Sequence, residues 1–193
     1  YMGEFSLGHA GFMSIGAYAS AIVTTLIQDQ TDLPAVLLYL IAIIAGGLAA
    51  GLIGVLVGIP ALRLSGDYLC IVTVAVAEIV RVVLSNFGIP AITGKATFGK
   101  SFAGIAKVSD YHYVYITMVI CIFIMYCYIR SRYGRALIAI REDRIAAAAS
   151  GINVTKTKVL TFTISAFFAG VSGAIYAHYI TTLVPTYFNF SKS

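Results

Sequence analysis

Two ionisable side chains of opposite charge, Glu78 and Arg81, stand inside the apolar run AVAEIVRVV. Residues three apart lie on the same face of a helix, so these two can pair. A charge in a membrane-embedded segment is costly unless it is paired or hydrated, which makes such residues functional candidates by default. Two roles remain open: an internal ion pair that orders the helices, or a place in a path or gate through the membrane.

His9, in FSLGHAGF, is a second candidate because it lies near the start of an apolar run. We expect it to form an interhelical hydrogen bond, with proton transfer or ligand contact as the alternative. His112 and His178 fall near predicted helix ends, where an interfacial position is expected.

Neither a metal centre nor a catalytic group is indicated. Cys70, Cys121 and Cys127 are odd in number and lack metal-ligand spacing, so we expect buried small apolar side chains. The stretch GIPAITGKAT at 88–97 has one residue too many between its glycines for a phosphate-binding loop. Metalloprotease, C-x-x-C and nucleophile-elbow motifs are absent from the sequence. The sequence thus predicts no metal, no cofactor and no enzymatic activity of its own.

The composition predicts an integral membrane protein. Of 193 residues, 60% are hydrophobic and 11% charged, whereas soluble domains carry roughly 25% charged residues. Helices are the default spanning element because lipid cannot hydrate backbone groups. The net charge is +5, and the basic residues are concentrated in one loop. They therefore indicate the orientation of the chain in the membrane and contact with lipid rather than nucleic-acid binding.

Five apolar segments predict an all-α fold, a polytopic helical membrane protein with about five membrane helices. Crossing roughly 30 Å of hydrocarbon takes about 20 helical residues, and four segments fit that length. The third is short and charged, so it either spans fully or forms a broken, partly re-entrant helix. The segments are Phe5–Ile27, Pro34–Ile59, Tyr68–Leu84, Tyr111–Ile129 and Val159–Ile180.

One charged island, Arg130–Lys158, fixes the predicted orientation. It holds seven basic and two acidic residues, and basic loops between spans lie on the cytoplasmic side. The loops Gln28–Leu33 and Ser85–Asp110 are then external.

Within the island, strong helix formers predict one amphipathic helix over Arg141–Ser150 that stops at Gly151. Ile140 and Ile145 would form its apolar side, and Asp143 near its start suits the positive end of the helix dipole. Such a helix is suited to dock a soluble partner.

Three stretches resemble the membrane permease subunits of branched-chain amino-acid ABC importers, specifically the M-type subunit. They cover nearly half of the chain, in order. The first begins at Phe5, the second at Arg63 and the third at Arg130: FSLGHAGFMSIGAYASA, RLSGDYLCIVTVAVAEIVRVVLSN and RSRYGRALIAIREDRIAAAASGINVTKTKVLTFTISAFFAGVSGAIYA.

The resemblance implies one transmembrane permease domain over 1–193, with 130–158 as its cytoplasmic coupling loop, in a longer protein with further helices at both ends. It implies a second permease subunit, two ABC ATPase subunits and an external substrate-binding protein as partners in the cytoplasmic membrane. The alternatives are a related permease for urea or short amides, and an ion- or proton-coupled secondary transporter. By the resemblance, coupling to the ATPase falls on Arg141, Glu142, Asp143, Ala147, Ala148 and Gly151.

We expect the transport path to run between this chain and a second permease, lined by the first, third and fifth segments. A branched-chain amino acid needs apolar surface for its side chain and polar groups for its zwitterion, and unwound or closely packed backbone near the midplane accommodates polar groups. The candidate lining residues are His9, Ser14, Thr73, Ser172 and Tyr176.

Overall fold

Seven helices and one pair of two-residue strands form the described part of the chain, which comprises residues 8–28, 34–62, 67–86, 102–103, 111–184 and 188 of a computed structural model. The all-α class is confirmed. The elements are α1 His9–Gln28, α2 Ala35–Ala61, α3 Asp67–Asn86, β1 Phe102–Ala103, α4 Tyr111–Arg130, α5 Arg132–Glu142, α6 Arg144–Ala149, α7 Val154–Ile180 and β2 Thr182–Leu183.

Four of the described helices, α1, α2, α4 and α7, are long and apolar enough to cross a membrane. The third apolar segment forms α3, whose 20 residues give a length of about 30 Å. It carries Asp67, Glu78 and Arg81, which lower its apolar character. Because α3 is one uninterrupted helix, the alternative of a broken helix is wrong.

The helices alternate in direction, and α3 runs from one end of the bundle to the other. α1 and α7 are parallel, since His9 lies against Ser165 at one end and Thr24 against His178 at the other. α2 contacts α7 in the reverse order and is antiparallel to it. α3 is parallel to α1, and so to α7, since Gly8 lies against Thr73 and Gly11 against Ala77 in the same order along both segments.

The centre of the bundle is a three-helix contact made by backbone rather than by side chains. A Cβ built on Gly16 of α1 would overlap the backbone of Gly170 on α7. A Cβ on Gly46 of α2 would meet the Gly16 carbonyl oxygen, and one on Gly173 would overlap the Met13 carbonyl oxygen. Such contacts are typical of helices in lipid, where close van der Waals packing drives association.

The two remaining long helices pack less deeply. α3 lies on α1 by one face, where Gly8 and Gly11 make room for Thr73 and Ala77. None of the twenty residues of α4, all of them described, is buried. The outer faces of α3 and α4 are therefore available to lipid or to other protein segments.

The charged island is shorter than the sequence predicts. α7 begins at Val154 rather than Val159, because the Asn153 side chain accepts a hydrogen bond from the Lys156 backbone N–H at 3.0 Å and caps the helix. Lys158 consequently lies on α7 and is buried. The loops predicted to be external lie largely outside the described residues, at 29–33 and at 87–110 apart from β1.

We predict that Gly170→Val destabilises the fold by about 1–3 kcal/mol, because a side chain there would displace Ala50 and the Gly46 carbonyl. Gly51→Ala is the matched control on the same interface, since its Cβ would sit 3.7 Å from Phe167, an ordinary contact. Thermal unfolding of the purified full-length protein in detergent measures both. Equal melting temperatures for the two variants would contradict the central role of this contact.

Candidate functional site

A sharp turn between α4 and α5 positions the surface predicted to dock a soluble partner. α4 ends at Arg130, and the Ser131 hydroxyl donates to the Tyr128 carbonyl oxygen at 2.6 Å. On α5, Gly134, Leu137 and Ile140 recur every three residues and are all buried. α5 lies against α7 as well as α4. One buried face of α5 thus fixes this segment to the bundle.

The single helix predicted over Arg141–Ser150 is wrong, since Asp143 divides it into the end of α5 and the separate helix α6. Asp143 has extended backbone angles, φ −150° and ψ 117°. Its carboxylate accepts hydrogen bonds from the backbone N–H groups of Ile145 at 2.7 Å and Ala146 at 3.1 Å. A carboxylate bonding the free N–H groups of a new helix is an N-cap, which competes with continuation of the preceding helix.

Gly151 ends α6 as predicted, with φ +84° in the left-handed region. Its N–H bonds the Ala148 carbonyl at 3.0 Å, and the Ile152 N–H bonds the Ala147 carbonyl at 3.1 Å. This pair of bonds is the Schellman motif. No atom lies within 4 Å of a Cβ built there, so only the backbone angle favours glycine.

The resulting surface carries exposed charged residues beside exposed apolar ones. Five of the six residues assigned to coupling are exposed, while Ala147 is buried at 4% exposure. Ile145 is 82% exposed although Ile140 is buried, so these two isoleucines do not share the apolar side predicted for them. The break at Asp143 separates the two residues and leaves Ile145 exposed on α6.

Glu78 and Arg81 pair with each other, as their spacing of three residues allows. Arg81 Nε lies 3.0 Å from both carboxylate oxygens of Glu78, and Nη2 contacts Oε1. The Glu78 side chain is 50% exposed and that of Arg81 27%. The pair lies on the outer surface of α3. It is therefore not the internal ion pair that the sequence left open.

The five residues predicted to line a path do not share one surface in the described chain. Ser14 and Thr73 are each 2% exposed, and their hydroxyls donate to carbonyls of their own helices. Ser172 is exposed on the outside of α7. Their predicted role in transport stays a prediction.

His9 and Tyr176 make packing contacts. His9 Nε2 lies 2.8 Å from Ser165 Oγ on α7, which is the expected interhelical hydrogen bond. Tyr176 is half-buried and its ring meets Phe188 edge to face at 5.8 Å. Both residues connect elements of the bundle in this structure.

His178 is fully buried, so the expectation of an interfacial position is wrong. Its Nδ1 donates to the Ala174 carbonyl at 2.8 Å, and its Nε2 lies 2.9 Å from Thr24 Oγ1 on α1. The carbonyl can only accept, so Nδ1 carries a proton and donates it. The bond with Thr24 ties the ends of α1 and α7 together.

The cysteines differ in exposure. Cys70 and Cys121 are half-buried, and Cys127 is exposed, which contradicts the expectation that all three are buried. Within the described residues, His, Cys, Asp and Glu side chains form no group of three that could hold a metal ion.

Comparison with known proteins places this arrangement in context. The family model described as branched-chain amino acid transport system / permease component matches residues 1–192. The high-affinity branched-chain amino acid transport system permease protein LivM of Escherichia coli is 32% identical over 99% of this chain and 50% of its own length, as is that of Salmonella typhimurium. The probable branched-chain amino acid transport permease protein LivM of Methanocaldococcus jannaschii is 24% identical, over 95% of this chain and 54% of its own length. No solved structure matches the chain. The chain spans about half the length of the curated relatives it matches.

We predict that Asp143→Ala loosens α6, because two backbone N–H groups lose their acceptor at a cost of about 1 kcal/mol. Amide hydrogen exchange at Ile145 and Ala146 should then accelerate about fivefold. Asp143→Asn keeps a capping oxygen and is the matched control, with exchange close to that of the unmodified protein. Equal exchange in all three proteins would contradict the capping role.

Proposed function

The chain belongs to the family of branched-chain amino acid transport system permease components, and we propose that it forms part of the membrane pathway of an ATP-driven importer of leucine, isoleucine and valine. The family supports the substrate class, and the four apolar helices suit a membrane-embedded subunit. The importer would take its substrate from an external binding protein and release it into the cytoplasm.

The exposed surface of α5 and α6 carries the proposal that a separate ATPase subunit drives transport. The break at Asp143 and the glycine stop at Gly151 hold α6 as one short, defined projection. Ile145 stands out from it at 82% exposure, beside exposed Arg141 and Arg144. A large exposed apolar residue close to charged ones suits the centre of a protein interface with a polar rim. We assign Ile145 as the anchor in the ATPase contact.

The orientation proposed for the chain puts Arg130–Lys158 in the cytoplasm. Its excess of basic residues favours that side. α4 and α7 flank this segment, so both α5 and α6 project from the same end of the bundle, where an ATPase subunit would bind. The cytoplasmic membrane is then the compartment, with β1 and β2 at the external end.

A second permease subunit is proposed to complete the pathway, with two ATPase subunits in the assembly. The largely exposed surface of α4 supports this, as does an apolar groove of about 430 Å³ between α2, α4 and α7. Both features suit a subunit surrounded by protein and lipid.

The function is tested with the full-length protein co-purified with its neighbours and reconstituted into liposomes. The proposal expects leucine uptake that requires ATP and the binding protein and persists with an uncoupler. Uptake that collapses with an uncoupler at constant ATP would indicate an ion- or proton-coupled secondary transporter instead. Uptake inhibited by urea or acetamide, but not by valine, would indicate the urea and amide branch.

We predict that Gly151→Val reduces leucine uptake at least tenfold while the permease still inserts, because a β-branched residue resists φ +84° and displaces the end of α6. Gly151→Asn is the matched control: it also adds a side chain but tolerates the left-handed region, so most uptake should remain. Co-purification of the ATPase subunit should fall with Val and persist with Asn. Normal association and uptake in the Val variant would reject the coupling role.

A second prediction concerns the anchor itself. Ile145→Asp should weaken ATPase association by about tenfold or more, since it places a charge where an apolar contact is buried on docking. Ile145→Leu keeps the apolar contact and should bind normally. Because Ile145 is exposed in this chain, neither substitution should change the folding of the permease. The melting temperature of the permease without the ATPase checks this.

A further inference from the structure

The outer face of α3 carries one ion pair set among aliphatic side chains. Ile71, Ala75, Glu78 and Val82 follow one another at steps of three or four residues, so they form a stripe along the helix. All four are exposed, Ile71 at 64% and Val82 at 44%. The stripe lies opposite the face that packs on α1, where Thr73 and Ala77 are buried.

The ion pair is held firmly on this face. Arg81 contacts Glu78 through two nitrogens, and Nε is equidistant, at 3.0 Å, from both carboxylate oxygens. A forked guanidinium–carboxylate contact fixes the direction of both charges. The two charges therefore present a dipole of defined polarity along α3, negative at Glu78 and positive at Arg81.

Such a pair is poorly suited to face acyl chains. Even a paired charge at bilayer depth loses its hydration, so charged residues in membrane segments face water-filled cavities or protein. Glu78 lies about 17 Å along the roughly 30 Å length of α3, well away from either helix end. The outer face of α3 is accordingly the part of the described chain best suited to a water-filled path.

We propose that Glu78 and Arg81 are a docking point for the zwitterionic head of the transported amino acid, and this rests on the function proposed above. The carboxylate of the substrate binds the Arg81 guanidinium and its ammonium binds the Glu78 carboxylate, so the two dipoles lie antiparallel. The branched side chain of the substrate lies on the aliphatic residues of the same stripe, Ile71 or Val82.

This arrangement accounts for both binding and release. Arriving substrate replaces part of the Glu78–Arg81 contact, and departing substrate lets the pair close again. Substrate thus competes with an internal contact of the same chemistry, so affinity stays low. Low affinity suits a passage site, where tight binding would slow release, and the external binding protein can supply selectivity.

The test uses the full-length permease in its complex, with other cysteines replaced and Ala75→Cys one helical turn before Glu78. Ala75 is exposed on the stripe, so a water-soluble thiol reagent should label it, and millimolar leucine should protect it. 4-Methylpentanoate, which lacks the ammonium, and 3-methylbutylamine, which lacks the carboxylate, should protect at least tenfold less well. No labelling of Ala75→Cys would overturn the proposal, because lipid or protein would then cover the face. Labelling without leucine protection would also overturn it.

Substitution of the pair separates recognition from structure. Glu78→Gln and Arg81→Gln should each raise the leucine concentration for half-protection about tenfold or more, since each removes one charge-assisted contact. The double variant Glu78→Arg with Arg81→Glu keeps an ion pair but reverses its polarity. Recognition predicts that protection and uptake stay low in this double variant, whereas a purely structural ion pair predicts recovery.

The proposed function is judged separately, by leucine uptake in the unmodified complex. Absence of ATP-driven leucine uptake there would overturn the importer assignment. Normal uptake together with an unlabelled or unprotected Ala75→Cys would overturn only the role given to Glu78 and Arg81. Basal ATPase activity and melting temperature identify any variant that fails to assemble. If Arg81→Gln fails to assemble, the conservative Arg81→Lys is measured in its place. It too should raise the leucine concentration for half-protection.

Discussion

The architecture depends on the backbone contact among α1, α2 and α7 at Gly16, Gly46 and Gly170. In lipid, burying apolar side chains brings helices together only weakly, because acyl chains are equally apolar, so close packing must provide the association. A Cβ at any of these three positions would overlap a neighbouring helix. Since the contact lies at the middle of the bundle, it sets the spacing from which the ends of all three helices project.

Hydrogen bonds between polar side chains help to fix the register of α1 along α7. His9 with Ser165 and Thr24 with His178 join α1 to α7 near opposite ends, so sliding of one helix along the other would break both. Hydrogen bonds between membrane helices are worth about 0.6 kcal/mol on average, so they specify register more than they add stability. The packed helices α1, α2 and α7 in turn support α3 on one side and the α5–α6 projection at the end.

The two surfaces to which we propose functions differ in how they are attached to these three helices. The α5–α6 projection is held by the buried face of Gly134, Leu137 and Ile140 and presents its charges outward, as a contact with another subunit requires. The α3 surface presents Glu78 and Arg81 on the side of the bundle, away from the contact with α1. In the importer that we propose, an ATPase would act on the first surface and substrate would pass along the second, and the packed helices between them would transmit motion.

Local patterns in the sequence determined the elements, and three-dimensional packing decided their roles. Hydropathy predicted the bounds of the apolar segments within a few residues, and the glycine at position 151 predicted the end of α6. Both features depend on residues that are neighbours in the sequence. The sequence did not reveal that Asp143 leaves the helix to cap α6. A helix interrupted by an N-cap and an uninterrupted helix differ in free energy by only about 1 kcal/mol at such a residue. Nor did the sequence show that Ile140 is buried while Ile145 is exposed. Burial of Ser14, Thr73 and His178 likewise depends on which helix faces which, and only the close approach of α1, α3 and α7 settles that.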